Sequence, residues 1–175
     1  MNKRILLVLI PMIFLSLIGS SKIGLALPAP TIVSLNSPAS VVASNDVAVD
    51  VVISNVANLR TWEFKLFYET SHLNVLSVTE GPFLKSFAGA SGTYFTVFEI
   101  NDAYDSTHGL VWAGCILSGT QPATGNGVLA TVKFRCTGTG SPHMTLAYPG
   151  YAYPVNLVNM NSILMPCTTT TGPDV

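Results

Sequence analysis

The sequence predicts an all-β protein in which two antiparallel β-sheets pack as a β-sandwich. Short runs with an apolar residue at every second position recur along the chain, which is the period of a half-buried strand. Clusters of Gly, Pro, Asn, Asp and Ser separate these runs at near-regular intervals. From Thr31 onward no run holds a helical period, so no helices are expected to cover a parallel sheet.

The predicted strands follow one another from Thr31. In the clearest one, large apolar residues alternate with Glu63 and Lys65, so we expect one side of the strand to face the core with Trp62, Phe64, Leu66 and Tyr68. Gly81 and Pro82 end a later strand, and residues 83–87 are expected to form a single helical turn. The full set of predicted strands is 31–35, 41–42, 47–53, 62–68, 73–79, 94–100, 110–117, 128–136 and 144–148.

The first 26 residues have the pattern of a secretory signal peptide. A positive start with Lys3 and Arg4 precedes an apolar run from Ile5 to Ile18, and the small residues near Ala26 suit a signal peptidase. An uncleaved membrane anchor is the alternative, but this run contains Pro11 and is shorter than the roughly 20 apolar residues of a spanning helix. The sequence therefore predicts a protein that is secreted to the extracellular space or held at the cell surface.

The mature chain is expected to be a single acidic domain. Removal of residues 1–26 takes away three of the eight basic residues and leaves five against nine acidic ones, a net charge of about −4. So few cations exclude the basic stripe that binds phosphate backbones, and no nucleic-acid partner is expected. The β pattern covers residues 31–165, whereas the Thr-rich residues 166–175 lack apolar periodicity and are expected to form a tail or linker.

The three cysteines give no clear disulfide framework. An odd number in an oxidising compartment leaves at least one thiol free or paired outside the domain. Cys115 and Cys136 continue the apolar side of predicted strands, so buried thiols and a bridge are both open alternatives, and Cys167 lies in the Thr-rich end. The spacing of the cysteines does not match a zinc site.

Three sequence blocks carry a resemblance to a known family. The run FKLFYETSHLNVLSVTEG, beginning at Phe64, resembles the cohesin-domain pattern of an F-x-L-x-Y strand, an Asp-Pro-Ser turn, a Leu and a V-x-x-V-x-x-G strand. The runs GLVWAGCILSG from Gly109 and GNGVLATVKFRC from Gly125 are similar to two later cohesin strands. Together with the first strands, the resemblance covers about residues 31 to 165.

This resemblance implies a nine-stranded jelly-roll sandwich whose role is binding. Cohesins bind dockerin modules on one sheet face, and their fold is related to a superfamily of carbohydrate-binding modules. Two features depart from the family pattern: Glu69-Thr70 replaces the usual Asp-Pro, and the segment after Met144 matches the closing strand only loosely. Since the chain lacks the D-x-[DN]-x-[DN]-G repeats of a dockerin, a dockerin partner would be another chain.

No catalytic residues, metal site or cofactor are expected. His72, His108 and His143 are scattered through turns, and Ser91 does not lie in a G-x-S-x-G elbow. Calcium bound by the polar run from Glu99 to Asp105 is an alternative, because such a loop offers oxygen ligands. However, the spacing fits no EF-hand, and a polar loop between strands explains the same residues.

Two sets of residues are candidates for binding. Strand alternation turns Glu63, Lys65 and Phe67 outward when Trp62 faces the core, and Trp112 turns outward when Val111 faces the core. We predict that a partner binds Glu63, Lys65, Phe67 and Trp112. Tyrosines that stack on sugar rings are the alternative, and the candidates for that role are Tyr148, Tyr151 and Tyr153.

The sequence therefore predicts a secreted, non-enzymatic, cohesin-like binding module. The expected partner is another extracellular protein that carries a dockerin-type module, in an assembly that degrades polysaccharides. A carbohydrate-binding module is the first alternative, and a structural subunit of a surface filament or layer is the second. Contact with a membrane is expected only through an uncleaved signal segment.

Overall fold

The computed structural model describes residues 28–170. The predicted signal peptide lies outside the described residues, and so do residues 171–175 at the Thr-rich end. Within residues 28–170, no helix is long and apolar enough to cross a membrane. The strands are β1 (Ile32–Asn36), β2 (Asp46–Glu69), β3 (Leu73–Glu80), β4 (Thr93–Asn101), β5 (His108–Leu117), β6 (Ala123–Cys136), β7 (Met144–Thr145), β8 (Val155–Asn159), β9 (Leu164–Met165) and β10 (Thr168–Thr170). An α-helix, α1 (Pro82–Ala88), and a short 3-10 helix (Gly89–Ser91) lie between β3 and β4.

Strand β2 belongs to both layers of the sandwich. It has 24 residues, and a straight strand of that length would span about 80 Å, more than a domain of this size can hold. The strand bends at two bulges, where Asn55 and Asn58 have φ angles of 56° and 64°. Asparagine tolerates this left-handed conformation better than most residues. The backbone N–H groups of Asn55 and Asn58 donate to side-chain oxygens of Asn126 and Thr124, which fixes the bend against β6.

The bend divides the strands into two layers that share β2. In sheet A, strand order is β10-β1-β2-β6-β3, with residues 46–59 of β2 at its centre. In sheet B, strand order is β9-β8-β2-β5-β4, with residues 59–69 of β2 at its centre. All pairs are antiparallel except β1 with β10, which run parallel. The predicted all-β, largely antiparallel sandwich is therefore confirmed.

The core lies between the two sheets and is built by period-two alternation. Trp62, Phe64, Leu66 and Tyr68 are all buried, as their spacing predicts. The ring of Tyr68 in sheet B contacts Phe134 in sheet A, with centroids 5.1 Å apart. Each fully buried large apolar side chain contributes about 1.5–3 kcal/mol. Further core residues from the other strands are Val33, Leu35, Val49, Val51, Ile53, Val111, Ala113, Leu117, Val132 and Leu157.

Helix α1 closes one end of the sandwich. Pro82 occupies the first turn, where a missing backbone N–H costs nothing, and Phe83 and Leu84 are buried against the core. Gly81 precedes the helix, and a Cβ there would lie 2.2 Å from the carbonyl oxygen of Val128, so only glycine fits. The predicted single turn is thus a seven-residue helix.

Glu80 joins several elements at this end of the molecule. Its carboxylate accepts a hydrogen bond of 2.6 Å from Thr93 Oγ1 and one of 3.4 Å from Cys115 Sγ, and Lys85 Nζ lies 3.3 Å away. Burial, reinforced by Glu80, raises the pKa of Cys115 to about 12. All three cysteines carry free thiols, and Cys115 and Cys136 are buried. Cys115 and Cys136 therefore act as small core residues, and the partly exposed Cys167 packs against the core.

Two features of the chain after Met144 differ from the predicted pattern. The expected strand 144–148 stops at Thr145, and β8 forms ten residues later on the same edge of β2. Residues 168–170, which the sequence assigns to a tail, form β10 beside β1. The described chain contains ten strands, because the predicted strands 47–53 and 62–68 join in β2, residues 41–42 form only an isolated bridge, and β8, β9 and β10 are additional.

Candidate partner-binding face

The candidate site is the outer face of sheet B, on the side away from the core. Strand alternation turns Glu63 and Lys65 of β2 to this side, and Trp112 of β5 pairs directly with Lys65. Residues 146–154, the loop between β7 and β8, run along one part of this face and tie to it through Pro154, whose carbonyl accepts from the Lys65 backbone N–H at 2.8 Å. We refer to these residues as the 146–154 loop.

The prediction that Phe67 is exposed is wrong. Phe67 does point to the outer side of sheet B, but its exposed fraction is 0%. Tyr148 of the 146–154 loop stacks on the Phe67 ring at a centroid distance of 4.2 Å, and Tyr104 and Tyr151 contact the same ring at 5.3 Å. Phe67 is therefore the centre of a second, smaller apolar cluster and is not available to a partner.

Hydrogen bonds hold the three tyrosines that cover Phe67. Tyr104 Oη donates to Tyr151 Oη at 3.0 Å, and Tyr148 Oη donates to the Asp105 carboxylate. The hydrogen bond from Tyr148, together with backbone N–H groups of the β4–β5 loop, holds the pKa of Asp105 well below its usual range. The bond to Tyr151 and burial raise the pKa of Tyr104 to about 12. We call Tyr104, Tyr148 and Tyr151 the tyrosine cap.

The tyrosines proposed for sugar stacking do not form one flat row. Tyr148 is stacked nearly parallel to Phe67, with an interplanar angle of 17°, whereas Tyr151 is tilted by 52° to the same ring. Tyr153 is exposed and lies apart, beside Pro154 and Leu164 in a groove of about 480 Å³. Two of the three predicted rings thus belong to the tyrosine cap, and the third, Tyr153, is exposed to solvent.

Glu63, Lys65 and Trp112 form a connected group at the middle of the face. Lys65 Nζ lies 3.1 Å from Glu63 Oε1 and 4.3 Å from the centroid of the Trp112 ring, close enough for a cation–π contact. Asn156 Nδ2 of β8 donates to the same Glu63 oxygen at 3.3 Å. Trp112 is half-buried, and its indole Nε1 has no hydrogen-bond acceptor among the described residues. This group marks the border of the tyrosine cap.

Beyond Trp112 the face is open to solvent and apolar. Tyr94 is 71% exposed, and Phe98 and Ile116 are also exposed, although all three are large apolar side chains. They surround a groove of about 240 Å³ whose floor is Gly114 and whose other walls include Thr61, Glu63 and Thr96. We call the surface formed by Tyr94, Phe98, Gly114 and Ile116 the open patch.

A β-bulge in β4 shapes the open patch. Val97 pairs with Ala113 and Glu99 pairs with Trp112, so Phe98 is the extra residue between them. The Phe98 ring leans on Trp112 at a centroid distance of 5.0 Å and reaches over Gly114. The sequence predicts strand β4 but not the open patch on it. Its signal is the run TYFTVFEI, in which apolar residues occupy both sides of an edge strand.

The polar loop between β4 and β5 is occupied by internal hydrogen bonds. Asn101 Nδ2 donates to Glu99 Oε1 at 3.2 Å, and Tyr68 Oη donates to Asp102. Burial and this contact with Asp102 raise the pKa of Tyr68. Among residues 28–170, no three His, Cys, Asp or Glu side chains converge as metal ligands. The calcium alternative thus gains no support from the loop geometry.

One serine and one histidine meet in the turn between β2 and β3. Ser71 Oγ lies 2.9 Å from His72 Nδ1, and Glu69 Oε2 lies 3.3 Å from the same nitrogen. A catalytic histidine uses its two ring nitrogens for different tasks, one toward the nucleophile and one toward the acid. Because both neighbours approach Nδ1, this trio does not have the geometry of a proton relay.

Comparison with solved structures identifies the fold of the chain. The non-cellulosomal cohesin from the hyperthermophilic archaeon Archaeoglobus fulgidus is 20% identical, with a TM-score of 0.60, and the match covers 82% of this chain and 88% of that chain. The second type II cohesin module of the adaptor ScaA scaffoldin of Acetivibrio cellulolyticus is 11% identical, with a TM-score of 0.67 and coverage of 83% and 95%.

A third similar structure is a complex. It contains the sixth cohesin of scaffoldin B from Acetivibrio cellulolyticus with a Cel5 dockerin mutant. The matched chain is 15% identical, with a TM-score of 0.59, and the match covers 82% of this chain and 96% of that chain. No protein-family model matches the sequence. No curated protein matches it significantly either. The predicted cohesin fold is therefore confirmed by structure, at sequence identities that show the fold alone.

Proposed function

We propose that this chain is a cohesin-like module that binds a dockerin-type module of another extracellular protein through the outer face of sheet B. The observation that carries the proposal is the open patch, where Tyr94, Phe98 and Ile116 remain exposed around a groove. Clustered apolar side chains of this size on a folded domain indicate a binding surface. The Trp112, Lys65 and Glu63 group adjoins the patch and extends the proposed surface.

The cohesin fold supports a dockerin as the partner. One of the similar structures is a cohesin bound to a dockerin, and the fold of that cohesin is the fold of this chain. A polysaccharide is a weaker candidate, because Tyr148 and Tyr151 pack on Phe67 and leave Tyr153 as the exposed ring of that set. Sugar binding usually needs a flat row of exposed rings.

Assembly into a surface filament or layer is a further alternative. Among residues 28–170, strand β4 pairs only with β5, so the backbone groups on its other edge could accept another strand. The bulge at Phe98 breaks the regular spacing of that edge, and bulges are one way in which proteins block edge pairing. The dockerin proposal is therefore preferred to edge-to-edge assembly.

We also propose that the protein acts outside the cell, in a polysaccharide-degrading assembly. The signal-peptide pattern of residues 1–26 supports export, and the similarity to a cohesin module of a cellulosomal scaffoldin supports the assembly. N-terminal sequencing of the protein from culture medium is expected to give Leu27 as the first residue. Protein that stays with the cells and still begins with Met1 would contradict cleavage and support the membrane-anchor alternative.

The binding proposal is tested by calorimetric titration of the mature protein with each dockerin-type module encoded in the same genome. We expect at least one module to bind with a dissociation constant of about 1 μM or lower, which corresponds to about 8 kcal/mol. A genome without such modules, or a full set without binding, would contradict the dockerin proposal.

A matched pair of variants on β2 tests which sheet is used. The side chains of Glu63 and Asp46 are each 28% exposed and each pairs with a lysine, Asp46 also with Arg135, but they lie on opposite sheets. We expect Glu63→Ala to weaken binding by about ten-fold, whereas Asp46→Ala leaves binding unchanged. The reverse result would assign the partner to sheet A. Urea unfolding of both variants checks that the loss does not come from unfolded protein.

A further inference from the structure

The open patch contains a groove of a definite size. Its volume is about 240 Å³, below the range of about 300–1,000 Å³ that is usual for small-molecule sites. It is a shallow depression between Tyr94, Phe98 and Ile116, with Gly114 as its floor. These dimensions suit one inserted apolar side chain better than an independent small ligand.

Gly114 makes room for this groove. Its neighbours on the outward side of β5 are Trp112 and Ile116, so a side chain at position 114 would project between them. A Cβ atom at Gly114 would lie 3.0 Å from Phe98 Cε2 and 3.1 Å from the backbone oxygen of Trp62. The Phe98 ring is an exposed side chain that can move, whereas the backbone oxygen cannot. A larger residue at position 114 therefore fills the groove.

The charge around the groove is acidic. In the sheet B segments 59–69, 93–101, 108–117 and 155–159, the carboxylates are Glu63, Glu69 and Glu99, whereas the cations are Arg60 and Lys65, neither of which lines the groove. Lys65 is paired with Glu63 and lies over Trp112, so this ion pair is close to neutral, whereas Glu99 forms no ion pair with the described residues. Glu63 lines the groove directly, and Glu99 lies opposite Trp112 at the edge of the open patch.

From this geometry and charge we infer that the groove over Gly114 binds one apolar side chain of the partner. On the partner, basic side chains flank this apolar side chain. The apolar side chain contacts Tyr94, Phe98 and Ile116, and the flanking cations face Glu63 and Glu99. This inference deepens the proposed function, since it rests on the same face of sheet B and specifies the chemistry of the partner. Electrostatic complementarity of this kind sets specificity and association rate.

A defined peptide tests the inference without a known partner. The probe is a short helical peptide with leucines on one face and lysines beside them, and its control has glutamates in place of the lysines. Amide chemical shifts of the ¹⁵N-labelled mature protein are followed during titration. We expect the basic peptide to shift Thr96, Gly114 and Ile116, with an affinity about ten-fold higher than that of the acidic peptide, or about 1.4 kcal/mol.

Variants of the chain separate the groove from the rest of the surface. Gly114→Leu is expected to abolish the shifts, and Ile116→Ala to weaken binding by about five-fold or more. Leu76→Ala is the matched control, because Leu76 is 47% exposed on sheet A and Ile116 is 46% exposed on sheet B. Glu99→Gln is expected to reduce the preference for the basic peptide. Circular dichroism and urea unfolding establish that each variant is folded.

Several results would overturn the inference. These are equal binding of both peptides, absence of any shift, shifts centred on sheet A, or shifts that survive in folded Gly114→Leu protein. Failure of the dockerin proposal is distinguishable, because the peptide titration does not use a dockerin. If a dockerin binds but Gly114→Leu leaves its affinity unchanged, the proposed function stands and the groove inference is wrong. If the basic peptide binds at the groove but no dockerin binds, the groove inference stands and the dockerin proposal is wrong.

Discussion

Phe67 lies on the outer side of a sheet and is nevertheless a core residue. Its ring is enclosed by Tyr148, Tyr104 and Tyr151, which the 146–154 loop and the β4–β5 loop bring over sheet B. The tyrosine cap thus extends the packed interior past the sheet itself. It also divides the outer face into a covered part and the open patch.

We predict that Phe67→Ala destabilises the protein by about 3–4 kcal/mol, since truncation of a buried Phe leaves a cavity. The change in the free energy of unfolding is measured by urea denaturation. Phe98→Ala serves as the control, because Phe98 is exposed in the open patch, and we expect it to lose about 1 kcal/mol or less. Similar losses for both variants would contradict the assignment of Phe67 to a buried cluster.

Tyr68 in the core and Tyr104 and Tyr148 in the tyrosine cap should ionise late. The pKa of Tyr104 is raised to about 12, chiefly by its hydrogen bond to Tyr151, and the pKa values of Tyr68 and Tyr148 are raised as well. An unfolded tyrosine ionises near about pH 10. A raised folded pKa stabilises the native state fully below that pH, and this contribution is lost as the pH rises through the folded value.

We therefore predict that tyrosinate absorbance at 295 nm rises at higher pH in the native protein than in the urea-unfolded protein. The Tyr104→Phe variant should have a smaller late-ionising fraction. Superimposable titration curves for native and unfolded protein would show that these hydroxyl groups are free in solution. Circular dichroism along the titration checks that the native state persists.

Alternation in the sequence predicts on which side of a strand a residue lies, but not what covers it. It correctly assigns Trp62 and Tyr68 to the core and turns Glu63 and Lys65 outward. It fails for the exposure of Phe67 because the covering tyrosines lie 37 or more residues away in the chain. The roles of Glu63, Lys65 and Trp112 in partner binding remain predictions.

At the scale of elements, the bend in β2 creates the sandwich. Residues 46–59 of β2 pair within sheet A and residues 59–69 pair within sheet B, so the two layers are covalently continuous. The sequence marks this point with Ser54-Asn55, which predicts the end of a strand. The structure instead keeps the strand and bends it, because side chains of Asn126 and Thr124 satisfy the backbone N–H groups at the bulges.

We predict that Asn58→Val destabilises the protein by about 1–3 kcal/mol, because a β-branched residue is strained at positive φ. Asn58→Gly is the control, since glycine adopts the φ of 64° without steric cost. Urea unfolding compares the two variants. If Asn58→Gly is as destabilising as Asn58→Val, backbone strain does not explain the preference for asparagine.

Strands β8 and β10 show which elements the sequence does not reveal. Strand β10 consists of three threonines at an exposed edge, so no apolar alternation marks it. Strand β8 follows a loop rich in Pro, Gly and Tyr, and its pairing with residues 59–64 of β2 joins parts of the chain far apart in sequence. Pairing at edges depends on the finished sheet, which local pattern does not contain.

At the scale of the whole molecule, the fold is far more predictable than the site. Nearly every core strand repeats the same period-two pattern, so many independent segments support one sandwich. The open patch depends on single features, namely the bulge at Phe98, the missing side chain of Gly114 and the limit of the tyrosine cap. None of these three features has a periodic signal in the sequence, although each is visible in the structure.

The central claim is that the open patch and the adjoining Glu63, Lys65 and Trp112 group form the partner surface. The most direct measurement is an amide NMR footprint of the mature protein, recorded with the dockerin-type module that binds it in calorimetry. We predict that the perturbed amides cluster at residues 61–65 of β2, 94–99 of β4 and 112–116 of β5, with the tyrosine cap less affected. A footprint on β1, β3 and β6 of sheet A would contradict the account.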